Sequence, residues 1–288
     1  MIGYDYVEPL TLDEALESLA THGEDAHLIA GGASLVVMLH QQLIAPSVLV
    51  GLRRVEALRG IEARDDGSLR IGATTTHRQI ERSPAAVAHA PALAEAFGHI
   101  ATVRIRNQGT VGGNLAHADP AQDPPPILMA LDASVSVAGP SGERRIPVAD
   151  LFVDLFETSL EPGEIITAVE LPPREPSARA IYVKFLPGSR DDYATVSVAA
   201  SATIAEDGWR NVRIACGAVG PVPLRMRDAE AALEGTTPDD RALADAAATV
   251  ADAVDPLDDT RGSAGYKRDM AVVWVRRALE RLAAGAGR

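Results

Sequence analysis

The stretch 26-AHLIAGGASLVVMLHQQL-43 decides the reading of this chain. Ala26 to Ile29 make an apolar, strand-like run. Ala30, Gly31, Gly32 and Ala33 follow, and Leu35, Val36 and Met38 then recur as on an apolar helix face. Glycine lets a backbone bend sharply and approach another group closely, because no Cβ stands in the way. Ser34 occupies the place of a helix N-cap. A strand entering a helix through glycines gathers free N–H groups and the positive end of a helix dipole at one spot, an arrangement suited to phosphate. Taken alone, such a turn is more readily a tight connection that binds nothing. The second stretch, Gly109-Thr110-Val111-Gly112-Gly113-Asn114, shifts that balance: two glycine turns in one domain can hold both phosphates of a dinucleotide.

Around this stretch the chain divides into three parts. Tyr4–Val7, a Thr11–Glu14 capping box with Leu12, Leu16 and Leu19 at helical spacing, the opening stretch, and Val48–Leu52 predict a β–α–β–α–β unit over about residues 1–53. From 54 to 174 follow a hairpin about Asp65-Asp66-Gly67, a second capping box at Thr76–Gln79 and a helix over Ala92–Phe97. Then come the second glycine turn, a proline-led helix over Asp123–Leu131, a hairpin about Gly139–Gly142 and a strand over Ile165–Leu171. Pro172-Pro173-Arg174-Glu175-Pro176 reads as a linker. Beyond it, over 175–288, three long strands at Ala180–Leu186, Ala194–Ile204 and Trp209–Val219 predict a meander. Helices at Ala229–Leu233, Arg241–Val254 and Tyr266–Ala284 complete an α+β domain.

Composition narrows the function. The 288 residues carry 27 basic and 40 acidic side chains, a net charge of −13, with no basic block to suit nucleic acid. A single cysteine, Cys216, excludes an intrachain disulfide and an iron–sulfur cluster held by this chain alone. The first residues lack the pattern of a signal peptide, and no apolar run is long enough to span a bilayer, so a cytoplasmic chain, peripheral to a membrane only through partners, is expected. No G-x-G-x-x-G, P-loop, H-E-x-x-H or nucleophile elbow is present. His117 and Asp119 read as loop hydrogen-bonding residues rather than metal ligands, since nothing nearby completes a shell. Asp123 reads as an N-cap and, compatibly with that, as an acceptor for sugar-alcohol hydroxyls.

The stretches AGGASL (30–35), IGATTTHRQIE (71–81) and GTVGGNLAHADPAQD (109–123) together resemble the flavin-binding subunit of molybdenum hydroxylases, such as the medium subunit of carbon monoxide dehydrogenase and the flavin domain of xanthine dehydrogenase. The resemblance continues through PGEIITAVELP (162–172), KFLPGSRDDYATVSVA (184–199) and YKRDMAVVWVRRALE (266–280). It implies an α+β fold of the vanillyl-alcohol-oxidase type: two α/β subdomains holding noncovalent FAD, then a C-terminal α+β domain. It further implies that Ile29, Ala30, Gly31, Gly32, Ala33, Ser34 and Leu35 form one pyrophosphate loop, and Gly109 with Thr110–Asn114 the other. Asp123 would meet the ribityl chain, Ile100, Ala101, Ile165 and Ile166 the ring, and Lys184 its polar edge, with Asp192 and Tyr193 in a loop over it. Outside the resemblance, the three isoleucines read as core and Lys184 as a solvated strand residue. The implied partners are a large molybdenum-cofactor subunit and a small subunit with two-iron two-sulfur clusters, in a dimer of heterotrimers. The implied electron acceptor is NAD, a quinone or oxygen. Two other readings stay open: a self-contained flavin reductase or oxidase, and an assembly subunit without flavin.

Overall fold

The computed structural model describes residues 3–189 and 191–285. Its first unit is a three-stranded parallel sheet, with Val48–Gly51 between Asp5–Val7 and Ala26–Ile29. Parallel neighbours need crossovers, here the helices Leu12–His22 and Leu35–His40. The first helix lays Leu12, Ala15, Leu16 and Leu19 against Val48 and Val50. Its cap differs from the expected box. The Thr11 hydroxyl accepts from the Glu14 N–H (3.2 Å), but the Glu14 carboxylate accepts from the N–H of Leu10, one residue further back. The second helix is short, and Ser34 has helical backbone angles with no side-chain cap bond. The expected capping role of Ser34 is therefore absent, and its hydroxyl is left to the space beside the turn.

The second unit joins helices to a five-stranded antiparallel sheet in the order Ile61–Ala63, Leu69–Gly72, Ile165–Leu171, Ser134–Gly139, Gly142–Pro147. The strand that comes last in sequence lies in the centre and is nearly all buried, with its one charged residue, Glu170, paired to Arg64 (2.9 Å). Leu93 and Phe97, Leu115, and Ile127 and Leu128 from three helices fill the core against Val135 and Val169. In this unit Thr76 forms a complete capping box with Gln79. Thr110–Asn114, expected as a glycine turn, is instead a helix start: Thr110 accepts from the Gly113 N–H (3.2 Å), and the glycines lie in the first turn of Val111–His117. Threonine in an extended conformation bonds the N–H three residues on, and this outweighs the poor helix propensity of two glycines.

The C-terminal unit is an antiparallel sheet in the order Ala178–Phe185, Val196–Ala205, Gly208–Gly217, Leu224–Arg225. Helix Ala264–Ala283 packs Ala271, Val275, Ala278 and Leu279 against it. The expected single helix over Arg241–Val254 is divided at Thr249 into Asp240–Ala248 and Val250–Ala253. Strand Ala178–Phe185 serves two cores through its period of two: Ile181 and Val183 face the C-terminal helices, while Ala180 and Tyr182 face the helices of the second unit. Lys184 falls on the same face as Tyr182, and this alternation carries both side chains toward the site.

Candidate functional site

A cleft of about 870 Å³ is lined by all three units. Its back wall is made by backbone against backbone. A Cβ on Gly31 would stand 1.8 Å from the Gln108 carbonyl oxygen, and one on Gly112 would stand 2.9 Å from the Ala73 carbonyl oxygen. Gly32 has φ of +73°, a conformation that disfavours any side chain. A Cβ on Gly113 would meet Ala30 at 3.9 Å, so the two glycine segments adjoin. Beneath Gly109 lies His77, whose N–H donates to the Gly109 carbonyl (3.0 Å) and whose ring sits 5.6 Å from that of Phe97. Burial, and secondly the charge of Arg106, bring the His77 imidazole down to about 4, so it stays neutral at physiological pH.

The far end of the cleft is apolar on one side and charged on the other. Ile100, Ala101, Ile165 and Ile166 line the apolar side. Ala101 is held at φ of +36°, and Arg106 fixes this turn by donating to the carbonyls of Ile100 (2.8 Å) and Ala101 (2.7 Å). Arg106 is itself placed by Glu81, at 3.0 Å. Opposite, Lys184 Nζ donates to Asp123 Oδ2 (2.9 Å) and to the His99 carbonyl (3.0 Å), with its side chain only 1 % exposed. The solvated reading of Lys184 is thus overturned, because its strand face is covered by the second unit. Asp123 precedes helix Pro124–Ala130 but makes no capping bond; its carboxylate is taken by Lys184 and by the Tyr182 hydroxyl. Burial pushes the Asp123 carboxyl up, against the pull of Lys184 and Tyr182.

Over the cleft, Asp192 pairs with Arg261 (2.8 Å), and the guanidinium of Arg261 lies 5.3 Å from the centre of the Tyr193 ring. Burial, then the neighbouring Asp119, push the Tyr193 phenol up to about 12.

Of the residues singled out from sequence, Ile29, Ala30, Gly31, Gly32, Ala33, Ser34, Leu35, Ile100, Ala101, Gly109, Thr110, Gly112, Gly113, Asn114, Asp123, Ile165, Ile166, Lys184, Asp192 and Tyr193 line this one cleft. Val111 does not; it is fully buried in the core of the second unit. Sequence reasoning missed His77, a buried part of the cleft wall, and Arg106 and Tyr182, which act from behind it. It also missed Phe156, whose ring lies 5.3 Å from that of His117 at the cleft. The placement of Phe156 at φ of +59° has no glycine or asparagine to signal it. Asp119 accepts from the Ala121 N–H (2.9 Å), in keeping with a loop role, and among the described residues no group of three or more His, Cys, Asp or Glu could hold a metal.

The site fits a dinucleotide. The tight backbone cradle suits phosphates, the apolar side of the far end suits a ring system, and Asp123 offers a carboxylate on the side opposite. Asn114 Oδ1, Gln122 Oε1 and His77 Nδ1 are enclosed without a protein partner on residues that line the cleft. Among the described residues no helix is long and apolar enough to cross a membrane.

Comparison with known proteins agrees with this geometry. The family described as FAD binding domain in molybdopterin dehydrogenase matches residues 2–174, and that described as CO dehydrogenase flavoprotein C-terminal domain matches 181–282. The chain is similar to the 6-hydroxypseudooxynicotine dehydrogenase complex subunit alpha of Paenarthrobacter nicotinovorans, at 37% identity over 96% of this chain and 93% of the relative. It is also similar to the carbon monoxide dehydrogenase medium chain of Afipia carboxidovorans, at 36% identity over 98% of both. Among solved structures, a chain of carbon monoxide dehydrogenase from Hydrogenophaga pseudoflava superposes with a TM-score of 0.93 at 35% identity, covering 96% of each chain.

Proposed function

This chain belongs to the family of FAD-binding subunits of molybdopterin dehydrogenases, and from that premise we propose that it carries FAD within a molybdenum hydroxylase complex, between a partner's iron–sulfur clusters and an external electron acceptor. The observation that carries the reading is the cradle formed where Gly31 meets Gln108 and Gly112 meets Ala73, which any side chain would fill. When bound, FAD supplies the electron-transfer chemistry; the protein holds, orients and tunes it. The bare backbone of 29–35 and 109–114 would hold the pyrophosphate, and the Asp123 carboxylate would accept from ribityl hydroxyls. Ile100, Ala101, Ile165 and Ile166 would exclude water from one side of the ring, and Asp192 and Tyr193 would cover it. Lys184 would place a positive charge near the ring's polar edge and favour the added electrons. The cofactor is held noncovalently in this reading: the first loop has Ala33, and Cys216 is sealed in the C-terminal core, its thiol pushed up by burial.

The molybdenum cofactor and the two-iron two-sulfur clusters belong, in this account, to a large and a small partner subunit, joined with this chain in a dimer of heterotrimers. The acceptor is NAD, a quinone or oxygen. The substrate is chosen in the molybdenum subunit and not here.

Two measurements test the reading. In the complex purified with its partners, the Lys184→Ala variant should lower the midpoint potential of the flavin; an unchanged potential removes the proposed role of Lys184. Flavin bleaching by the complex's organic substrate should require all three subunits. Bleaching of this chain alone by such a substrate would favour the self-contained enzyme, and absence of flavin from the complex would favour the assembly role.

A further inference from the structure

Tyr182 is not one of the residues expected at the site, and it is 2 % exposed. It nonetheless ends on the carboxylate that lines the cleft: its hydroxyl donates to Asp123 Oδ1, while Lys184, two residues on along the same strand face, donates to Oδ2. Asp123 belongs to the second unit and both donors to the C-terminal sheet, so the carboxylate is gripped across the boundary between them. An ionised carboxylate offers about four lone-pair sites. Two are engaged from the protein side, which leaves acceptor capacity on Asp123 for a ligand in the cleft. Such bonds to an ionised acceptor are roughly twice as strong as neutral ones, and a carboxylate this enclosed (5 % exposed) needs them.

We infer that Tyr182 is a positioning residue of this site: its hydroxyl fixes Asp123 as a carboxylate turned toward the cleft, and thereby sets how much of the Lys184 charge reaches the bound cofactor. The inference deepens the flavin reading and rests on it for the identity of the ligand, though not for the behaviour of Asp123. The groups that face Asp123 are Lys184 and Tyr182 from the strand, His99 from the turn after helix Pro91–Gly98, and Tyr193 from the covering loop. Of these, Lys184 and Tyr182 pull hardest against the effect of burial. Removing the Tyr182 hydroxyl leaves the ring packing in place and removes one of the two strong pulls, so Asp123 takes up a proton more readily. Lys184 then presents an uncompensated charge.

Infrared titration of the carboxylic-acid band tests this directly, with Asp123→Asn assigning the band. It is run on the full chain in its complex, both with FAD and after FAD removal. In Tyr182→Phe the Asp123 acid band should persist to a pH higher by about one unit, with or without flavin. FAD affinity should fall about tenfold and become dependent on pH. Site-specific 3-fluorotyrosine at position 182, a more acidic phenol and a better donor, should shift the band the opposite way. Coincident titration curves for wild type, Tyr182→Phe and the fluorotyrosine protein would overturn the inference. The flavin reading fails separately, if wild-type protein takes up no FAD while the infrared shifts still appear.

Discussion

His77 shows how one buried residue of the cleft wall makes the fold's stability depend on acid. Its imidazole is enclosed beneath Gly109 and is kept neutral first by burial and then by Arg106, at about 4 against an ordinary 6.5. The folded state therefore prefers the neutral ring, while the unfolded chain accepts a proton near the ordinary value. The resulting stabilisation is complete above 6.5 and is lost as pH falls from there toward 4, an effect of up to about 3 kcal/mol. Urea unfolding at pH 7.5 and pH 4.5 should show wild type losing more stability on acidification than His77→Gln. His89, also lowered to about 4 mainly by burial, contributes equally to both proteins and cancels. Equal losses in the two proteins would contradict the sign argued here. His77 was legible in the sequence as the first residue after a cap, but not as a support for Gly109, because that contact joins segments distant along the chain.

At the scale of elements, the glycines were visible and their mechanics were not. The opening stretch announces a strand, a sharp turn and a helix, and the structure has all three. What the sequence could not show is that Gly31 is required by the Gln108 carbonyl rather than by its own conformation, whereas Gly32 is required by φ. Thr110–Asn114 was misread as a turn because glycine pairs signal turns, while the threonine ahead of them signals a cap, and the cap prevails. The contact between the two segments gives a direct substitution. In Gly31→Ala the new methyl meets backbone, so no rotamer change relieves it. The segments must separate at a cost of about 1–3 kcal/mol, and FAD affinity, read by quenching of flavin fluorescence, should fall about tenfold or more. Gly142→Ala, which adds a Cβ with nothing within 4 Å at a hairpin residue that does not line the cleft, serves as a control for backbone strain alone, with φ of +100°. Equal FAD affinity in Gly31→Ala and wild type would mean that the segments do not face the cofactor.

Across the whole molecule, the cleft depends on one strand shared between two cores. The meander and the closing helix were legible from composition and periodicity, because each is a local pattern. The meeting of Asp123 and Lys184, 61 residues apart, was not. It arises only when Ala178–Phe185 presents alternate side chains to the second unit, and residue periodicity cannot say which unit covers a strand's second face. The resemblance to known flavin subunits placed both residues at the site, but it did not disclose that they form an ion pair buried across the boundary.

The most direct test is a structure with quantified flavin content for this chain purified together with its partner subunits. The account predicts one noncovalent FAD per chain, its pyrophosphate between 29–35 and 109–114 and its ring beside Ile165, Ile166 and Lys184. A complex that holds all its subunits yet shows no flavin in the cleft, and accepts none when FAD is supplied in excess, would contradict it.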